Sequence, residues 1–183
     1  MSSAEKSSTT DNFATSTATT KDISDIEELV NLAYRGGKAS VGWKNEHDLV
    51  KGPRIVKADL ENYLSDQNAE IILIRDTKGV LAGAVHIEQH GQDAHIGMLS
   101  VHPEYQNLGL GKKLLLLGEK QARERCKCTQ AKMFVFAGRN ELLTWYRSMG
   151  YLETGETKPF FGPESGLTPL VENAHFVVVA KAL

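Results

Sequence analysis

The sequence predicts one α/β domain, a mixed and mostly antiparallel sheet flanked by helices, and three observations carry that expectation. Apolar residues recur at helical spacing in Ile23, Ile26, Leu29, Val30 and Ala33 and again in the leucine-rich run after Gly111, whereas 70–75 (EIILIR), 80–90 (VLAGAVHIEQH) and 131–137 (AKMFVFA) are strand-like. The runs at 70–75, 80–90 and 93–101 are joined by links too short for a crossover helix, Thr77-Lys78-Gly79 and Gly91-Gln92, so they predict a three-stranded meander. At Leu99 to Leu117 (LSVHPEYQNLGLGKKLLLL) a strand end passes through a glycine turn straight into a helix.

The chain of 183 residues is long enough for one domain with a full core. A formal charge of -2 lacks the basic excess of a dedicated nucleic-acid binder, and no polybasic run marks a membrane-surface segment. No apolar run approaches the roughly 20 residues that span a bilayer, and the N-terminus has no apolar signal core. A cytoplasmic location, with the nucleus reachable by diffusion, is therefore expected, with neither nucleic acid nor membrane as partner. Cys126 and Cys128 form a lone C-x-C, too few for a disulfide framework and without the second pair of a zinc site. They are read as reduced thiols, and no metal is expected.

In chain order, residues 1–11 (MSSAEKSSTTD) are small and polar and predict a disordered tail, leaving 12–183 as the domain. A strand over 13–19 precedes the first helix, with Asp22 as its N-cap and Gly36-Gly37 as its stop. Residues 36–55 are irregular, a length of loop that tends to be functional, and hold an isolated Trp43 that either pins the loop to the core or walls a pocket. A short helix over 57–65 leads into the meander. A helix from Gly109 to about Cys126, a buried strand at 131–137, a helix at 140–149 and a closing strand at 174–183 complete the order.

Chemistry concentrates at the glycine turn. Glycines at a helix start let a ligand approach the backbone, where the unpaired N–H groups of the first turn and the positive end of the helix dipole favour phosphate; the same glycines also serve tight packing. No Lys-Ser/Thr follows Gly111, and no third glycine completes a dinucleotide fingerprint. The pattern Val101-x-Pro103-x-Tyr105-Gln106-x-x-Gly109-x-Gly111 resembles the pyrophosphate-binding motif of the GNAT (Gcn5-related) acyltransferases, which receives acetyl-CoA. Asn140, Trp145-Tyr146 and Gly150-Tyr151 resemble that family's later helix and its Gly-aromatic pair. The order Ala33-Tyr34-Arg35-Gly36, Gly42-Trp43, Glu46, Leu49, Gly52 and Arg54, with Thr154-Gly155-Glu156 and Pro159-Phe160, is similar to one group of GNAT proteins.

The resemblance implies a GNAT fold with a CoA cleft between its central strands. It implies that backbone groups at Leu99, Ser100 and Val101 meet the acetyl carbonyl and pantetheine, and that Gln106, Asn107, Leu108, Gly109, Leu110, Gly111 and Lys112 hold the pyrophosphate. Asn140 would bond to CoA, Tyr146 would protonate the departing thiolate, and Trp43, Glu46, Arg54 and Phe160 would line the acceptor pocket. A phenol with a pKa of about 10 is already protonated at neutral pH, which suits the acid role.

An aliphatic amine is almost wholly ammonium at pH 7, so a base is also required. A two-residue turn at Gly91-Gln92 places Glu88 opposite His95 and His86 opposite Gly97. One face of the ribbon then carries His86, Glu88, His90 and His95, and the other Val85, Ile87, Ile96 and Met98. His95 and Glu88, or a water relay, are the candidate base, and a facing carboxylate would raise the His95 pKa above 6.5. His102 is read as shaping the glycine turn. The function implied is direct acetyl transfer from acetyl-CoA to a primary amine of a small molecule, by a monomer or homodimer. The alternatives are a protein N-terminus or lysine as acceptor, and a non-catalytic CoA-binding sensor or interaction module.

Overall fold

The computed structural model describes residues 12–36, 46–160 and 165–183, so the 1–11 tail and Trp43 lie outside the described residues. The elements are β1 (Phe13–Thr17), α1 (Ile23–Arg35), β2 (Val50–Lys51), α2 (Lys57–Ser65), β3 (Ala69–Asp76), β4 (Leu81–His90), β5 (Asp93–Val101), α3 (Leu110–Glu124), β6 (Gln130–Phe136), α4 (Asn140–Ser148), β7 (Leu152–Pro159), β8 (Thr168–Pro169) and β9 (His175–Ala182). Seven strands form one sheet in the order β1-β3-β4-β5-β6-β9-β7, and β2 pairs with β8 apart from it. Within the large sheet only β5 and β6 run parallel.

The uninterrupted apolar run of β3 is explained by helices on both faces. Ile72 and Ile74 join Val85, Ile87 and Ile96 beneath Leu110, Leu114 and Leu115 of α3 and Leu142, Leu143 and Tyr146 of α4. Ile71 and Leu73 face the other way, against Ile26, Leu29 and Val30 of α1 and Leu60 of α2. A buried ion cluster ties the far end together: Glu119 on α3 receives hydrogen bonds from Lys181 of β9 at 2.8 and 3.0 Å and from the Tyr151 hydroxyl at 3.1 Å.

The site is prepared by two irregularities in β5. Its register with β4 shifts by one residue between Ala84 and His86, where Met98 takes a φ of 51°. Such a bulge bends the strand. On its other edge β5 pairs with β6 only at Asp93, Ala94 and His95; beyond these the two part, and β6 continues along β9. The parting opens a wedge in the middle of the sheet.

The bulge also corrects one expectation: Met98 packs with the α1 and α2 face, opposite to Ile87 and Ile96. Strict alternation fails wherever one extra residue is inserted. Asp22 stands at the N-cap position of α1 as expected, but its side chain makes no capping bond to that helix; a short 3-10 turn over Thr20–Asp22 comes first, and the Asp22 carboxylate accepts from the Thr19 N–H at 2.8 Å. The sequence reading also lacked β2, β7 and β8. β7 is exposed along its whole length and pairs only with β9, so it carries no apolar alternation to read.

Candidate active site

The glycine turn builds a cleft. His102 ends β5, and its Nδ1 accepts the Glu104 N–H at 3.3 Å, capping a short turn over Pro103–Tyr105. Asn107 and Gly109 follow with φ of 65° and 79°, left-handed conformations that turn the chain sharply into α3. The resulting cleft of about 320 Å³ is lined by Val101, Tyr105, Gln106, Asn107, Gly109, Leu110, Gly111 and Lys112, with Ala33 and Trp145 opposite. A Cβ built on Gly111 would meet only Val101 and Trp145, at 3.9 and 4.0 Å. That glycine is not demanded by core packing, and its bare backbone faces the cleft. The first turn of α3, with N–H groups that the helix does not use, and the Lys112 cation suit a dianionic pyrophosphate. Leu99 and Ser100 point into the fold, and Leu108 and Asn140 are exposed; none of the four lines this cleft.

A second cavity of about 160 Å³ is bordered by Tyr146, the chain neighbour of the Trp145 that borders the cleft. It collects Glu46, Arg54, His95, Tyr146 and Phe160, which lie far apart in sequence. The end of α1 does the positioning. The Asn31 side-chain carbonyl accepts from the backbone N–H of Arg54 at 2.6 Å, Arg35 Nε donates to the Gly52 carbonyl at 2.9 Å, and the Tyr34 carbonyl accepts the Glu46 N–H at 2.8 Å. The Tyr34 hydroxyl reaches across to the Leu99 carbonyl at 3.2 Å.

Charge in this cavity is resolved pair by pair. Glu46, nearly buried, bonds Arg35 at 2.7 Å and lies 4.0 Å from Arg139. Arg139 also donates to Glu141 at 2.8 Å. Arg54 meets no carboxylate among the described residues; its guanidinium stands over the Tyr34 ring, 5.2 Å from the centroid. Tyr34 and Arg35 enter the sequence reading only as part of a motif order, with no site role, and Arg139 and Tyr63 do not enter it. The Tyr34-Arg35 pair at the end of an amphipathic helix, beside a long loop, was the available signal.

The titratable groups are tuned by burial. Burial pushes the Tyr146 phenol well above 10, with Tyr34 and Glu46 adding to it, so the hydroxyl keeps its proton. His95 stacks on Phe134, ring centroids 4.3 Å apart. Its pKa is lowered to about 4, first by burial and then by His90 and Arg54. The pairing of Glu88 with His95 holds in register, yet the expected rise in pKa is overturned by burial, and the Glu88 carboxylate bonds His90 Nε2 at 3.2 Å. Ligating atoms of Glu88, His90 and His95 all lie within 4.8 Å of one another, close enough to share a divalent cation. Behind them His86 is 4 % exposed, stacks on Tyr63 at 4.2 Å, and leaves Nε2 without a hydrogen-bond partner among the described residues.

Residues 27–151 match the model of the acetyltransferase (GNAT) family, and the chain belongs to that family of acyltransferases. Three solved structures share its fold. The ribosomal-protein-S18-alanine N-acetyltransferase of Escherichia coli is 15% identical with a TM-score of 0.67, the match covering 93% of each chain. The spermidine N-acetyltransferase of Vibrio cholerae, solved with CoA and spermine, is 14% identical with a TM-score of 0.67, covering 94% of this chain and 96% of that one. The PaiA N-acetyltransferase of Thermoplasma acidophilum, solved with coenzyme A, is 14% identical with a TM-score of 0.67, covering 93% of this chain and 99% of that one. No curated protein matches the sequence.

Proposed function

We propose that the protein transfers the acetyl group of acetyl-CoA directly to a primary amine of a small molecule. The observation that carries this reading is the adjacency of Trp145 and Tyr146, one bordering a phosphate-suited cleft and the other a small aromatic cavity. In the reaction the amine nitrogen bonds to the acetyl carbon and the C–S bond breaks. The amine gives up a proton, and the departing thiolate gains one. Tyr146, held in its protonated form by burial, is the proton donor. His95 is neutral at physiological pH and borders the cavity, so it accepts the amine proton directly or through water. Backbone groups of the Gln106–Lys112 turn hold the pyrophosphate, and holding the two reactants against the neighbouring residues Trp145 and Tyr146 supplies the proximity that a direct transfer needs.

The cavity volume of about 160 Å³ favours a small acceptor over a protein side chain. Incubating the full chain with acetyl-CoA and a panel of amines, and following free thiol together with the mass of the product, tests this. Thiol release with an N-acetylated product is expected; CoA binding without release for any amine would favour a sensor.

A further inference from the structure

The charges around the acceptor cavity point to more than an amine. Glu46 is matched by Arg35, and Arg139 by Glu141, which leaves Arg54 as a cation with an aromatic ring beneath it and no carboxylate partner among the described residues. Arg54 is half-buried at the cavity wall, and the Asn31 hydrogen bond to its backbone N–H holds the residue in place there. Beyond His95, Tyr63 and Tyr146, the rest of the wall is apolar, with Phe134, Phe136, Phe160, Phe176 and Leu142 prominent in it. Two acids, Asp59 and Glu88, act on Tyr63 at a distance, and they do not reverse this balance, since neither bonds Arg54 and Glu88 bonds His90.

We propose that the acceptor carries a carboxylate beside its amine, bound by Arg54, with an apolar or aromatic side chain against the phenylalanines: an amino-acid-like amine rather than a polyamine. This rests on the acetyl-transfer reading above and narrows its substrate class. A guanidinium is built for a planar carboxylate, which it binds through two parallel hydrogen bonds. A polyamine would bring further ammonium groups to a site whose uncancelled charge is already positive. The same positive field favours the neutral form of the reacting amine, the form that attacks.

The test uses the full chain, acetyl-CoA and a matched pair, phenylalanine and phenethylamine, with spermidine as a third acceptor. A charge-assisted hydrogen bond supports a preference for phenylalanine of about tenfold or more in kcat/KM, with spermidine poorer than either. In Arg54→Gln the preference within the pair should collapse to near one, and Arg54→Lys should restore part of it. Equal use of the pair by the parent protein, a preference for spermidine, or an undiminished preference in Arg54→Gln would overturn the proposal. A binding arm needs no turnover: 3-phenylpropionate should bind the parent at least about tenfold more tightly than Arg54→Gln, and equal affinity would also overturn it. No thiol release with any amine, alongside Arg54-dependent binding of 3-phenylpropionate, would overturn the acetyl-transfer reading and uphold the anion site.

Discussion

The glycine-turn cleft and the aromatic cavity border neighbouring residues, Trp145 and Tyr146, yet they are built in opposite ways. Apart from Ala33 and Trp145, the cleft comes from one unbroken segment, Val101 to Lys112, and what it offers is chiefly backbone. The cavity draws on α1, the segment before α2, β5, β6, α4 and β9, and what it offers is side chains. A backbone site depends on glycine and on the helix start, so substitution there should act on binding and little else. A side-chain site depends on burial and on balanced charge, so substitution there should alter rate, pH response and stability together.

The largest effect is expected where the two meet. Tyr146→Phe removes the proposed proton donor while keeping the ring in the core, so kcat should fall by at least about 100-fold with the acetyl-CoA affinity nearly unchanged. Steady-state kinetics with a separate binding measurement would check this, and a rate within about threefold of the parent would assign protonation elsewhere.

Next comes His95, for which the comparison was least visible in sequence. His95→Ala should lower kcat by about 100-fold, the lower end for a general base, because water can enter an open cavity. With a pKa of about 4, the parent's His95 is deprotonated throughout pH 6 to 8. Any rise in rate over that interval therefore belongs to the acceptor amine, and the variant should keep the shape of the parental profile. A limb near pH 7 that vanishes in His95→Ala would show that His95 titrates as if solvated.

Gly111→Val sharpens the other side. The added methyl groups extend from a Cβ that already stands 3.9 Å from Val101 and 4.0 Å from Trp145 in the cleft, so they occupy ligand space rather than core space. Acetyl-CoA should bind about tenfold more weakly or worse, while the melting temperature changes little. Calorimetry and thermal unfolding of one preparation separate the two effects.

These expectations trace how far the sequence could be read. The meander and its register, with Glu88 opposite His95 and His86 opposite Gly97, followed from a two-residue turn, because a short hairpin fixes all pairs above it until something intervenes. The bulge at Met98 is what intervenes, and no residue type announces it. The glycine turn was legible because it is built from one short segment, Val101 to Lys112. The acceptor cavity was legible only through a resemblance that gathered Glu46, Arg54 and Phe160 without saying what joins them; the ion pairs of Glu46 with Arg35 and Arg139 depend on tertiary approach. The direction of the His95 pKa was misread for a related reason. Facing positions do not fix where a carboxylate points, and burial outweighed it.

The smallest expected effect lies behind the acceptor cavity, at His86. Its pKa is lowered to about 4 from 6.5, first by burial and then by His95 and Arg54, with Asp66 opposing and His90 adding slightly. The native state thus binds this proton less readily than the unfolded chain, so stability rises with pH between the two values. The contribution is fully present above about pH 6.5 and is lost as the pH falls toward 4, by about 3 kcal/mol over the whole interval and about 1 kcal/mol by pH 5.5. For a chain of this size about 1 kcal/mol corresponds to roughly 2–4 °C in melting temperature. His86→Leu fills the space beside Tyr63 with a group that cannot be protonated, so the drop in melting temperature between pH 7.5 and 5.5 should shrink by that amount. His95 shifts in the same direction and remains in the variant, leaving part of the drop in place. Acetyl-CoA affinity should be the same in parent and variant at pH 7.5, because His86 does not border the cleft. An undiminished drop in His86→Leu would mean that His86 takes up its proton in the folded state as easily as in the unfolded one, and that the pH sensitivity of the acceptor side resides in His95 alone.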